Sequence, residues 1–113
     1  MWSTLIKCCI VLGVVVSAVA DDQVLSASGR ELAFARDKGN CLACHVMAGG
    51  TQMGDIGPPL VGIAARFPVR KRLRDQIWDA GQFNDQSLMP PFGRHEILNV
   101  REIDAIVEFL YTL

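Results

Sequence analysis

The stretch Gly39-Asn40-Cys41-Leu42-Ala43-Cys44-His45 constrains this chain more than any other, because its Cys-x-x-Cys-His run is the attachment spacing of c-type haem. Two thiols three residues apart on one helical turn can bond covalently to the two vinyl groups of a single porphyrin. The following residue, His45, is then carried under the iron as the proximal ligand. Other uses of the run explain less. A zinc site needs four N or S ligands, and adjacent Cys44 and His45 cannot easily converge on one ion. A thioredoxin-like pair needs a strand before it and a βαβ frame, and an iron–sulfur cluster needs more cysteines. Covalent haem alone explains why a histidine follows the second cysteine.

Upstream, Met1 to Ala20 carries one charge, Lys7, then an uncharged run from Cys8 that ends Ala18-Val19-Ala20. A basic start, a short apolar centre and an A-x-A end describe a secretory signal peptide cleaved after Ala20. The uncharged run falls short of the roughly 20 residues a membrane span needs, so a retained anchor is the lesser reading, and no membrane association is expected after cleavage. Export suits the haem, since c-type attachment occurs outside the cytoplasm in bacteria, and implies a periplasmic protein. Of the 113 residues, 93 then form one small domain at positions 21–113. Without Lys7, 10 basic side chains face 12 acidic ones, a balance that gives no footprint for nucleic acid. A chain this short is marginal for a self-sufficient core. The haem-free form is therefore expected to be largely unfolded.

Ser28 and Glu31 read as a capping box that opens a helix running to about Lys38, with Gly39 as its stop. Val46 to Ile56 is glycine-rich loop, and Gly57-Pro58-Pro59-Leu60 cannot be helix interior. A donor-free turn shortly after a haem histidine has a use. The Pro58 carbonyl can accept the Nδ1–H of His45, fixing the tautomer that ligates through Nε2.

Arg66 to Arg74 is strongly basic, with Pro68 placed for a helix start and Leu73, Ile77 and Trp78 as its apolar stripe towards Gly81. Cations in a first turn oppose the helix dipole. Haem propionates, an acidic partner and a solvated face remain open as reasons for them. In Leu88-Met89-Pro90-Pro91-Phe92-Gly93, Met89 is biased to extended backbone by the next proline, and its thioether projects from a stiff loop as a candidate sixth iron ligand. Met47, Met53 and His95 are its rivals. Asn99 and Glu102 form a second capping signature before Ile103, Ile106, Val107 and Leu110 at helical spacing. This last helix is expected to cross the first near residues 29–35, where Gly29 permits close approach. The sum is all-α: three to four helices around one covalent haem c.

Helix, C-x-x-C-H, Gly-Pro turn, methionine loop and terminal helix, in that order, resemble a class I cytochrome c domain. More narrowly, Lys38 to His45, Gly54-Asp55-Ile56-Gly57-Pro58-Pro59-Leu60, Leu73-Arg74-Asp75-Gln76-Ile77-Trp78-Asp79, Met89-Pro90-Pro91-Phe92-Gly93-Arg94-His95 and Phe109-Leu110-Tyr111-Thr112-Leu113 resemble the SoxX family. SoxX is the monohaem subunit of the periplasmic SoxAX cytochrome of sulfur-oxidising bacteria. The resemblance implies that Cys41 and Cys44 anchor the haem and that His45 and Met89 are its axial ligands. It also implies a non-catalytic electron-transfer subunit of an L-cysteine S-thiosulfotransferase complex. In that complex a SoxA-like haem partner joins thiosulfate to a cysteine of a SoxYZ-like carrier, and this chain passes the electrons to a soluble cytochrome. Tyr111 departs from the pattern, standing where a smaller aliphatic is expected. Downstream of Lys7 only Lys38 and Lys71 accompany eight arginines, and arginine suits longer-lived contacts, as in a complex subunit. A stand-alone diffusible electron carrier for an oxidase or reductase is the alternative. A haem sensor or enzyme with an open iron position is a third reading.

Overall fold

The computed structural model describes residues 15–113, so Cys8, Cys9 and most of the expected signal peptide at residues 1–20 lie outside the described residues. Four α-helices follow in order: α1 (Val15–Phe34), α2 (Ile63–Arg66), α3 (Arg70–Trp78) and α4 (Val100–Leu110), with short 3-10 turns at Cys41–Ala43 and Ala80–Gln82. The described residues contain no strand. No helix among them is long and apolar enough to cross a membrane.

The first helix differs from expectation at both ends. Ser28 is helix interior, not a cap, because residues 15–27 offer neither glycine nor proline to interrupt the helix, and an N-cap needs non-helical backbone. At the other end α1 stops at Phe34. The chain then turns, with the Gly39 amide donating to the Leu32 carbonyl (3.0 Å) and the Asn40 amide to that of Ala35 (3.0 Å). The left-handed residue is Asn40, with φ 48°, a conformation asparagine tolerates. Gly39 serves proximity instead: a Cβ there would sit 3.0 Å from the Leu32 carbonyl oxygen and 3.1 Å from Cys41 Sγ.

The final helix forms as its sequence predicts. Asn99 Oδ1 accepts from the Glu102 amide and Glu102 Oε2 from the Asn99 amide, each at 2.9 Å, so two otherwise unpaired donors are satisfied reciprocally. Ile103, Ile106, Val107 and Leu110 are all buried. α4 packs across α1, where Gly29 lies so close to Ala105 that an added Cβ would overlap the Ala105 carbonyl and come within 2.9 Å of Phe109 Cβ. One turn along, Phe34 and Phe109 meet edge to face at 5.8 Å, a favoured aromatic geometry.

The basic segment divides. Arg66 ends α2, while α3 begins at Arg70 with Val69 as its N-cap, so Pro68 lies outside the helix it was expected to open. The residue before a proline avoids helical backbone, and Phe67 at φ −127°, ψ 74° follows that rule. The cations of α3 have intramolecular partners. Arg70 pairs with Glu108, Arg74 with Asp104 (2.6 Å) and Lys71 with Asp75 (2.6 Å). Arg72 lies over the Phe83 ring at 3.3 Å and donates to Gln76 at 3.0 Å. Acids of α4 thus offset the dipole cost of cations at the start of α3. Tyr111 has a place as well: its hydroxyl donates to the Phe67 carbonyl and Arg70 stacks on its ring at 4.3 Å.

Candidate functional site

Between α1 and α2 the Cys-x-x-Cys-His run folds as one tight turn. The Cys44 and His45 amides both donate to the Cys41 carbonyl, at 3.2 and 2.9 Å. The loop that follows returns on this turn through the amides of Gly54, Gly57 and Leu60, which donate to the carbonyls of Leu42, Cys44 and Val46 at 2.8, 2.7 and 2.7 Å. Residues 41–60 therefore form a closed unit without strand or long helix.

The return loop sets the imidazole. His45 Nδ1 stands 2.7 Å from the Pro58 carbonyl oxygen, which as an acceptor requires Nδ1 to carry the proton and leaves Nε2 as the free lone pair. Gly57 lies against the same ring: a Cβ there would fall 2.6 Å from Nδ1 and 2.9 Å from Nε2. Sequence reasoning assigned Pro58 and passed over Gly57. Its signal was available, a glycine beside two prolines shortly after the histidine.

The segment between α3 and α4 carries Met89, with its amide on Ser87 Oγ at 3.2 Å. Cys41, Cys44, His45, Pro58 and Met89 all line one cavity of about 770 Å³, within the usual range for a cofactor pocket. Its walls are mostly apolar, with Ile63 from α2, Leu73 and Ile77 from α3, Phe92 and Leu98 from the segment before α4, and Ile106 from α4. The rival ligands lie elsewhere. His95 is exposed and not part of the wall, Met47 is 1% exposed in the core, and Met53 Sδ accepts from the Met47 amide at 3.3 Å. Arg66 lines the cavity and donates to the Pro59 carbonyl at 2.8 Å, whereas Trp78 stands outside it.

The donor set fits a haem bonded through two sulfurs. Burial pushes the Cys41 thiol up to about 11, the reverse of the depressed value that marks a reactive or metal-binding thiolate. Among the described residues no cluster of three or more His, Cys, Asp or Glu side chains could hold a metal ion. A mostly apolar slot lined by two cysteines, the imidazole that follows them and a thioether defines a c-type cytochrome domain.

Comparison with known proteins agrees. Residues 27–110 match the family model described as cytochrome c oxidase, cbb3-type, subunit III, and the chain belongs to that family of haem domains. It is also similar to a solved structure, SoxXA from P. pantotrophus, with 26% sequence identity and a TM-score of 0.69 over 77% of this chain and 80% of that one. This similarity accords with the SoxX resemblance and with a small class I cytochrome c fold bearing one covalent haem c. No sequence among the curated proteins matches the chain.

Proposed function

We propose that this protein is the electron-relay subunit of a SoxAX-type complex in periplasmic thiosulfate oxidation, with the sulfur chemistry on a SoxA-like haem partner. The observation that carries a relay role is the shared cavity. It gathers Cys41, Cys44, His45 and Met89, with none of Met47, Met53 and His95 on the wall. When bound, the haem supplies a one-electron iron couple. The chain's own part is positional: Cys41 and Cys44 would tether the group, and the Pro58 carbonyl holds His45 Nδ1–H, which leaves the Nε2 lone pair free to ligate iron. Met89 offers its thioether as the sixth ligand, a pairing that raises the potential relative to two nitrogens, and the apolar walls keep water from the metal.

The choice of complex rests on the likeness to SoxXA over most of both chains. A SoxYZ-like carrier and a downstream soluble cytochrome follow from the same reading. Residues 1–20 act as a cleaved signal on this view. Cleavage after Ala20 would open the mature α1 at Asp21 and Asp22, two carboxylates where the helix dipole favours them. The test is gentle purification from the periplasm with measurement of mass, haem count and N-terminus. A stable assembly with a second haem-bearing chain is expected. A lone monohaem species would overturn the complex and leave a diffusible carrier for an oxidase or reductase.

A further inference from the structure

The segment that carries Met89 has no regular structure between the 3-10 turn at residues 80–82 and α4. Pro90 and Pro91 have no amide hydrogens to bond, so apart from the Met89 amide on Ser87 Oγ the ties that place Met89 come from further along. They converge on the end of α3. The Trp78 carbonyl accepts from the amides of both Gly93 (3.1 Å) and Arg94 (3.3 Å). The indole of Trp78 lies flush on Gly93, where a Cβ would come within 2.6 Å of Cζ3. Arg94 Nη1 reaches Asp79 Oδ2 at 3.0 Å, and Asp79, 8% exposed, also accepts from the Gly81 amide at 3.0 Å. Backbone, ring face and ion pair thus join the same two short segments.

We propose that Trp78 and Asp79 position Met89, acting through Gly93 and Arg94 as a clamp that holds the methionine loop closed over the haem cavity. This rests on the reading of Met89 as the sixth ligand. A loop held shut competes with any outside ligand for the open iron position, and the apparent affinity of that ligand scales with the fraction of loop released. Loosening the clamp therefore tightens binding of an added ligand without touching Met89 itself.

The experiment titrates the ferric holoprotein with imidazole and follows the far-red iron–thioether absorption. Arg94→Ala is expected to tighten imidazole binding about fivefold, matching loss of a half-exposed ion pair. Gly93→Ala, which forces the indole and loop apart, is expected to tighten it about tenfold or more. Arg94→Lys should restore most of the parent behaviour. Arg74→Ala removes another partly exposed ion pair of α3, made to Asp104 of α4 and not to the methionine loop, and should leave imidazole affinity unchanged. Parent-like affinity in both Arg94→Ala and Gly93→Ala overturns the clamp, and so does an equal shift in Arg74→Ala. Because Gly93→Ala can fail to fold, Arg94→Ala then decides alone. Met89→Ala tests the underlying reading separately: survival of the far-red band in that variant rejects Met89 as ligand, whatever the clamp variants do.

Discussion

His45 Nδ1 and the Pro58 carbonyl oxygen lie 2.7 Å apart across a sequence separation of 13, and Gly57 packs on the imidazole ring. The acceptor is backbone, so side-chain replacement of Pro58 does not remove it. Pro58→Ala is expected to cost less than about 1 kcal/mol, mainly through a looser unfolded chain. Gly57→Ala must displace the imidazole and is expected to cost on the order of 1–3 kcal/mol and to shift the reduction potential. Urea unfolding and redox titration of the two holoproteins check this. Equal effects would place the ring's support elsewhere.

Gly29 poses a contest of two known effects. Glycine in a helix interior is worse than alanine by about 1 kcal/mol, which favours Gly29→Ala. The new methyl would overlap the Ala105 carbonyl of α4, and overpacking against backbone costs about 1–3 kcal/mol or more. The clash should win. A lower melting temperature is expected, and a rise would mean that α1 can slide on α4.

The haem-free protein should not keep this fold. Without haem the cavity of about 770 Å³ leaves a large part of a small domain's apolar core unpacked, and total stability is only about 5–15 kcal/mol. Wetting it instead would leave its apolar walls in water. A Cys41→Ser, Cys44→Ser double variant expressed without haem is expected to lose most of its helical circular dichroism. A cooperative melt with native helicity would contradict this.

Lys38 and Glu102 tie the turn after α1 to the start of α4 at 2.8 Å. The Lys38 ammonium, with the Asn99 amide, holds the Glu102 carboxyl below its usual 4.5, so its contribution is present above pH 4.5 and lost as pH falls through the depressed value. Glu102 in turn raises Lys38 above 10.5, a contribution present below pH 10.5 and lost as pH rises through the raised value. Glu102→Gln keeps the capping geometry and removes both dependences. Its melting temperature should fall less steeply than the parent's below pH 4.5 and above pH 10.5. Parallel curves would show the pair to be idle.

Much of the site was legible because it is local. Cys41, Cys44 and His45 sit in one turn, and proline restricts Pro58 and Met89 through their own backbones. The helix at Val100–Leu110 was equally plain, since its cap and apolar period lie within a dozen residues. The capping signature at Ser28 misled for the same local reason: it describes a helix that could start there, not one that runs through. Pro68 likewise marks where a helix could begin, yet the break falls at Phe67 in front of it and α3 starts two residues after the proline, at Arg70. The cations of α3 looked available for a cofactor or partner until Glu108 and Asp104, 38 and 30 residues away, came to meet Arg70 and Arg74.

The amino-acid sequence by itself determined the cofactor, the helical class and the candidate ligands, because each depends on neighbours along the chain held by covalent spacing, proline or a cap. Only the tertiary structure decided which face Gly57, Gly93 and Gly29 serve. It also decided that His95 stands away from the cavity and that Trp78 and Asp79 grip the methionine loop. Those depend on which distant segments touch, and a glycine's missing side chain names no partner until the partner is beside it.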